Sequence, residues 1–224
     1  MKMIFLGDSL TEGHYGGSYV AALQAKFPDH ELVNAGRGGN TVINLLARLE
    51  SDVLDHNPDA VFVMVGGNDA ISYTQPKTRA YYKQVQSIPE GVVTPQMFAE
   101  AYRDLIHQLQ LAFLPTWMGL PPAEYSAEVV RAQQHYNQIA GDVARSQSIP
   151  VLDLMPHFAP DDVPERSPID LGFINEIGRR SASGWDDYEG ERKRKGYSYT
   201  FDGLHLTPAS ADRMADLIAD FLEL

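Results

Sequence analysis

The chain predicts an α/β fold of one domain. A five-stranded parallel sheet lies between two helical layers as a flavodoxin-like three-layer α/β/α sandwich, in strand order 2-1-3-4-5. Three observations carry that prediction. Apolar runs of strand length alternate with amphipathic segments of helical period. Polar, glycine-rich turns follow the first three runs. No internal repeat, low-complexity tract or linker divides the 224 residues. With 44% hydrophobic residues the chain can fill one core, and single α/β domains commonly reach about 200–250 residues.

Taken in order, residues 2–6 read as a short, continuously apolar buried strand. Residues 18–27 read as a helix with Tyr19, Ala22, Leu23 and Phe27 on one face. A second strand is expected at 31–34 and a second helix at 41–49. Residues 60–65 (AVFVMV) form the clearest strand, β-branched and stopped by Gly66-Gly67. Thr94-Pro95 supplies an N-cap followed by proline at the first helical position, opening a helix to about Leu111. A fourth strand is expected at 112–118, a helix capped by Ser126 to about Gln147, and a fifth strand at 149–154. Thr207-Pro208 repeats the cap-plus-proline signal before a closing helix over 209–222.

Two connections, 71–91 and 156–200, break the alternation, and long connections in compact domains usually serve function. The second holds nine acidic and seven basic residues. It reads as a solvated excursion with some local helix, a lid or substrate-binding insertion within the single domain 1–224. Within it the Arg192-Lys193-Arg194-Lys195 run is expected on a solvated loop.

Composition narrows the function classes. Eighteen basic against thirty acidic residues give a net charge of −12, which offers no basic stripe for nucleic acid and disfavours anionic membranes. The absence of cysteine excludes disulfides, thiolate zinc sites and cysteine nucleophiles. The apolar run Met3-Ile4-Phe5-Leu6 is too short for a signal-peptide core or a membrane span. No stable membrane association is expected, and a cytoplasmic location is the default. The remaining histidines (14, 30, 56, 107, 135 and 157) show no HExxH or other zinc spacing, so no metal site is expected.

Chemistry concentrates in four short motifs. Gly7-Asp8-Ser9-Leu10 puts a serine directly after the first strand, and Asp202-Gly203-Leu204-His205 brings a carboxylate and an imidazole. A serine hydroxyl is a poor nucleophile until a neighbouring imidazole takes its proton. The imidazole needs a carboxylate to fix its tautomer and stabilise the imidazolium. Ser9, His205 and Asp202 therefore read as nucleophile, base and orienting acid. Each also has a plainer reading alone: Ser9 as a helix cap, His205 as a surface or core histidine, Asp202 as a turn cap before Thr207. Open α/β sheets bind ligands at the carboxyl ends of their strands, where the strand order reverses. Strand 1 delivers Ser9 there, strand 3 delivers GGND at 66–69, and the turn after strand 2 delivers NAGRGGNT at 34–41. Asp8 and Asp69, beside these positions, read as structural groups that hydrogen-bond the loops.

With GDSLTEG at 7–13, NAGRGGNT at 34–41, GGND at 66–69 and DGLH at 202–205, in that order, the chain resembles the SGNH, or GDSL, hydrolase family. The resemblance implies a catalytic triad of Ser9, His205 and Asp202. It also implies an oxyanion hole of the Ser9 N–H, the Gly39 N–H and the Asn68 side-chain amide. Such donors are worth about 10²–10³-fold each in rate. Gly36 and Gly38, beside Gly39, read as tight-turn positions needing positive φ. Gly7-x-Ser9-x-Thr11 lacks the last glycine of the nucleophile elbow, and a serine after the first strand argues against an α/β-hydrolase.

The implied reaction is hydrolysis of a small-molecule carboxylic ester, short in its acyl chain, through an acyl-enzyme and with no cofactor. Aromatic residues at Tyr73, Tyr81, Tyr82, Trp117, Tyr125, Trp185, Tyr188, Tyr197 and Tyr199 are the internal hint to the substrate. They stack on sugars or acyl chains as readily as they pack. A carbohydrate O-acetyl esterase is the nearest alternative, and a catalytically silent small-molecule binding module is the alternative from another class. A flavodoxin-like binder of a phosphorylated cofactor is disfavoured, because Arg37 is the only cation in the 36–39 turn.

Overall fold

Residues Lys2–Gly7 (β1), Glu31–Gly36 (β2), Ala60–Met64 (β3), Thr116–Leu120 (β4) and Val151–Asp153 (β5) form one sheet in the computed structural model, which describes residues 1–160 and 162–224. All four pairings are parallel, in the order β2-β1-β3-β4-β5. That is the expected topology. The central strand β3 is buried at all five positions, as a parallel strand covered on both faces requires.

Alternation along the strands splits the core in two. Ile4, Leu6, Val61 and Val63 face one layer, while Met3, Phe5, Phe62 and Met64 face the other. The helices follow in chain order as α1 (Ser9–Glu12), α2 (Tyr19–Lys26), α3 (Val42–Ala47), α4 (Leu49–Asp52), α5 (Gly67–Thr74), α6 (Arg79–Gln84), α7 (Pro95–Leu111), α8 (Ala127–Ser146), α9 (Leu171–Ser183), α10 (Tyr188–Lys195) and α11 (Pro208–Leu222). Helices α3, α7 and α8 cover the first face through residues such as Leu45, Leu105 and Tyr136. Helices α2 and α11 cover the second through Leu23, Met214 and Ile218. The expected caps at Thr94, Ser126 and Thr207 are in place, and Ser18 caps α2 in addition: each accepts a backbone N–H of its helix's first turn through the side chain.

Three expectations need correction. The fourth strand starts four residues later than 112–118, because α7 ends in a turn: Phe113 adopts φ of 54° and the Leu114 N–H returns to the Leu109 carbonyl. Trp117 accordingly lies inside β4. The connection 71–91 is largely helical, formed by the rest of α5, by α6 and by single turns. The Arg192–Lys195 run sits on α10 instead of a loop, and Arg192, Arg194 and Lys195 are paired with Glu189, Asp187 and Glu191 at helical spacing. That spacing turns a repulsive run into a self-neutralising helix face.

Gly36 closes β2 against α1, and a Cβ there would lie 2.0 Å from the Glu12 backbone nitrogen. The requirement is therefore close backbone approach and not positive φ; in this turn the positive φ belongs to Gly39, at 77°. Gly36→Ala should destabilise the fold by about 1–3 kcal/mol through overpacking. Urea denaturation measures it, and an unchanged midpoint would mean that α1 is not held this tightly on β2.

Candidate active site

Ser9 is the first residue of α1, directly beyond the carboxyl end of β1. The Asp8 side chain caps that helix by accepting from the Leu10 N–H at 3.0 Å. Ser9 Oγ lies 3.1 Å from His205 Nε2, and His205 Nδ1 lies 2.8 Å from Asp202 Oδ2. Residues 196 positions apart in sequence thus form one hydrogen-bonded series.

The segment carrying the imidazole is a tight turn. Asp202 Oδ1 accepts the N–H groups of Leu204 and His205, and the Gly203 N–H donates to Thr200 Oγ1. Gly203 adopts φ of 97°, and a Cβ there would strike the Tyr125 ring. Thr200 and Leu206 bridge the two ends of the turn. Tyr15 meets the His205 ring edge-on at 5.3 Å, and Phe201 stacks on it at 6.2 Å. Trp185 and Tyr188 of the insertion pack against Phe201 in turn.

Glu124, unremarked in the sequence, anchors this turn from β4. It is buried after Pro121-Pro122-Ala123, and its carboxylate accepts the N–H groups of Ser198, Tyr199 and Thr200 and the Thr200 hydroxyl.

The other two strand ends meet Ser9 through a second network. Arg48 is buried and donates to the Gly7 carbonyl at the end of β1, the Ala35 carbonyl in β2, the Asn40 side chain and Asp52. Asn40 in turn offers its carbonyl to Asn68 Nδ2 at 3.1 Å. Asn68 also donates to Asp8 at 3.3 Å and accepts from the Tyr82 hydroxyl at 2.9 Å. Gln86 holds the 38–44 turn by donating to the Gly38 carbonyl and accepting from the side chains of Asn40 and Asn44 through its amide and backbone oxygens. Asp69 accepts the Val42 N–H. Among the described residues no acceptor occupies the N–H of Ser9 or of Gly39.

Neither Arg48, Gln86 nor Glu124 carried a sequence signal. Their partners are mostly backbone groups, which any residue supplies.

Ser9, Gly39, Asn68 and His205 all line one cavity of about 500 Å³. A second hollow of about 580 Å³ between α8 and residues 153–160 contains none of them. Among the described residues no three His, Asp or Glu side chains converge as metal ligands. No helix there is long and apolar enough to cross a membrane.

A parallel sheet whose carboxyl edge holds a serine, a histidine and an aspartate in hydrogen-bonded series has the make-up of a serine acyl-transfer enzyme. The model of the GDSL-like lipase/acylhydrolase family matches residues 5–213, and the chain belongs to that family. Over 86 residues it is 41% identical to an acetylxylan esterase of Geobacillus stearothermophilus, a stretch covering 30% of this chain and 39% of that protein. An arylesterase of Vibrio mimicus is 26% identical over 125 residues, 48% of this chain and 62% of its own length. The matched stretches thus span less than two thirds of these relatives. The crystal structure of an acetyl xylan esterase superposes with a TM-score of 0.66 at 23% identity, over 98% of both chains. This is a likeness of fold.

Burial sets the ionisation of the site. Burial alone would pull the His205 imidazole down, but Asp202, aided by Asp8 and Glu12, raises it above its ordinary value. Burial would raise Asp202, yet the imidazole and two backbone N–H groups hold it low. A base must be neutral to act, so activity on any ester should rise through an ionisation above the ordinary imidazole value of 6.5. A pH–rate profile checks this, and an acid limb below that value would contradict it.

Asp69 is pushed by burial up to about 8 from 3.8. The folded chain therefore keeps a proton that the unfolded chain has lost. Its contribution to stability is complete below 3.8 and is lost as pH rises through about 8. Asp69→Asn should flatten the fall in thermal midpoint across that window. An unaltered slope in the variant would remove Asp69 as the cause.

Proposed function

We propose that this protein hydrolyses carboxylic esters through an acyl-enzyme on Ser9. The observation that carries the reading is the series Ser9 Oγ–His205 Nε2 and His205 Nδ1–Asp202 Oδ2, at 3.1 and 2.8 Å.

His205 takes the Ser9 proton as Oγ bonds to the ester carbonyl carbon, while Asp202 holds the imidazole's orientation and stabilises its charge. The carbonyl oxygen becomes an oxyanion facing the N–H groups of Ser9 and Gly39 and the Asn68 amide. To reach it, Asn68 gives up its long 3.3 Å bond to Asp8 and keeps the shorter one to Asn40. The carbon–alkoxy bond then breaks, and His205 returns the proton to the departing alcohol. Water, activated by the same imidazole, releases the acid and restores Ser9.

A carbohydrate O-acetyl esterase is the second reading, favoured by the 41% identity to an acetylxylan esterase over 86 residues. The insertion 156–200 is proposed as a partial lid within a single domain, since α9 lies over the cavity and none of its residues is fully buried.

Ser9→Ala, verified as folded by circular dichroism, should lower turnover of p-nitrophenyl acetate by about four orders of magnitude or more. A fluorophosphonate should label wild type once, on Ser9, by mass spectrometry. Full activity in the variant, or labelling elsewhere, would overturn the reading. Asn68→Ala should lower kcat by about 10²–10³-fold with a smaller change in KM. A loss confined to KM would remove it from the oxyanion site.

A further inference from the structure

The cavity at Ser9 has two unlike parts, and their positions relative to His205 distinguish the two halves of an ester. The imidazole must protonate the departing alcohol, so the alcohol lies on the His205 side of Ser9. His205 stands between Leu204, which packs against the layer of α7 and α8, and Leu206, which packs in the layer of α2 and α11. The acyl group, across the reacting carbon from the alcohol, is assigned to the part of the cavity that belongs to the layer of α7 and α8.

There the cavity walls are apolar and buried. Ile71 of α5, Tyr82 of α6, Val129 of α8 and Ile169 are each no more than 6% exposed. The apolar side of α9, with Phe173, Ile174 and Ile177, forms the remaining wall. Most polar atoms on these walls are already engaged: the Tyr82 hydroxyl donates to Asn68, the Tyr81 hydroxyl accepts from Gln86, and the Gln133 amide nitrogen donates to Asn137, while Gln133 Oε1 accepts no hydrogen bond among the described residues. The exposed polar lining residues, Glu12, His14, Asn175 and Arg179, belong to the rim.

A sugar ring in the inner part would meet the Gln133 side-chain carbonyl oxygen but leave most of its hydroxyls without partners, which is costly away from water. An acetyl methyl would leave most of this apolar wall uncovered. Resting on the hydrolase reading, we infer that the inner chamber receives an aliphatic acyl chain longer than acetyl, for which an octanoyl ester is the probe, with Ile177 of α9 as a specificity-determining residue.

This departs from the short-chain expectation and from the acetyl esters named for the relatives. Each methylene moved from water into an apolar chamber favours binding by about fourfold. Octanoyl esters should therefore exceed acetyl esters in kcat/KM by at least about tenfold.

The test compares acetyl, butyryl, octanoyl and palmitoyl p-nitrophenyl esters with wild type, Ile177→Trp, Ile177→Asn and Ile177→Leu. Because α9 buries no residue fully, these changes leave the core intact. The octanoyl-to-acetyl ratio should fall about tenfold in the Trp and Asn variants and hold within about threefold in Leu. Direct binding of sodium octanoate by calorimetry reads the chamber without catalysis and should weaken in the same two variants. A wild-type preference for acetyl, or a ratio indifferent to Ile177, overturns the inference while leaving Ser9 labelling intact. Absence of fluorophosphonate labelling overturns the hydrolase reading instead, and octanoate binding then decides the chamber alone.

Discussion

One buried guanidinium ties together the turns on which the site is built. A parallel sheet ends each strand in unpaired carbonyls, and a polar site at that edge must satisfy them without filling the space a substrate needs. Arg48 does this from below. Its donors reach the carbonyls of Gly7 and Ala35 on two adjacent strands and the side chain of Asn40 in the glycine-rich turn. Asn40 passes the constraint to Asn68 on the third strand end. Arginine suits the task because its planar donors diverge at fixed angles, which a lysine cannot match. Asp52 balances the charge at the far side of the guanidinium.

The imidazole of His205 is held by a separate system. Glu124 gathers three successive N–H groups of the 198–200 segment, Asp202 closes the following turn on itself, and aromatic rings of the insertion support Phe201 behind the imidazole. Ser9 and His205 therefore rest on different supports and meet across one 3.1 Å contact. The insertion serves both sides of that contact. Its aromatic end braces His205, and α9 walls the cavity.

The layered fold was legible because the central strands are short apolar runs, and the helices α2, α7, α8 and α11 that cover the sheet each open on Ser or Thr at the N-cap. Ser9, Gly39, Asn68 and His205 were legible because four motifs in fixed order specify them together, and the structure brings all four to one cavity. The illegible parts share a physical cause. The strand at 116–120 was displaced because apolar character continues through Phe113, which is 93% exposed in a turn. The helices of the two long connections lack the Thr-Pro start signal of α7 and α11, and α9 turns its apolar side to the cavity and not to the sheet. Glu124 and Arg48 bind backbone atoms far away in sequence, and no local pattern announces such partners.

The 196-residue span between Ser9 and His205 makes the site a property of the finished chain. Loop-closure entropy disfavours that contact until the intervening strands and helices have compacted. While the polypeptide is still being synthesised, the serine emerges early, beside a strand whose partners do not yet exist. It remains an ordinary hydroxyl until the 200–206 segment folds back beside it. The order of assembly thus withholds the Ser9–His205 contact until the fold that carries it has formed.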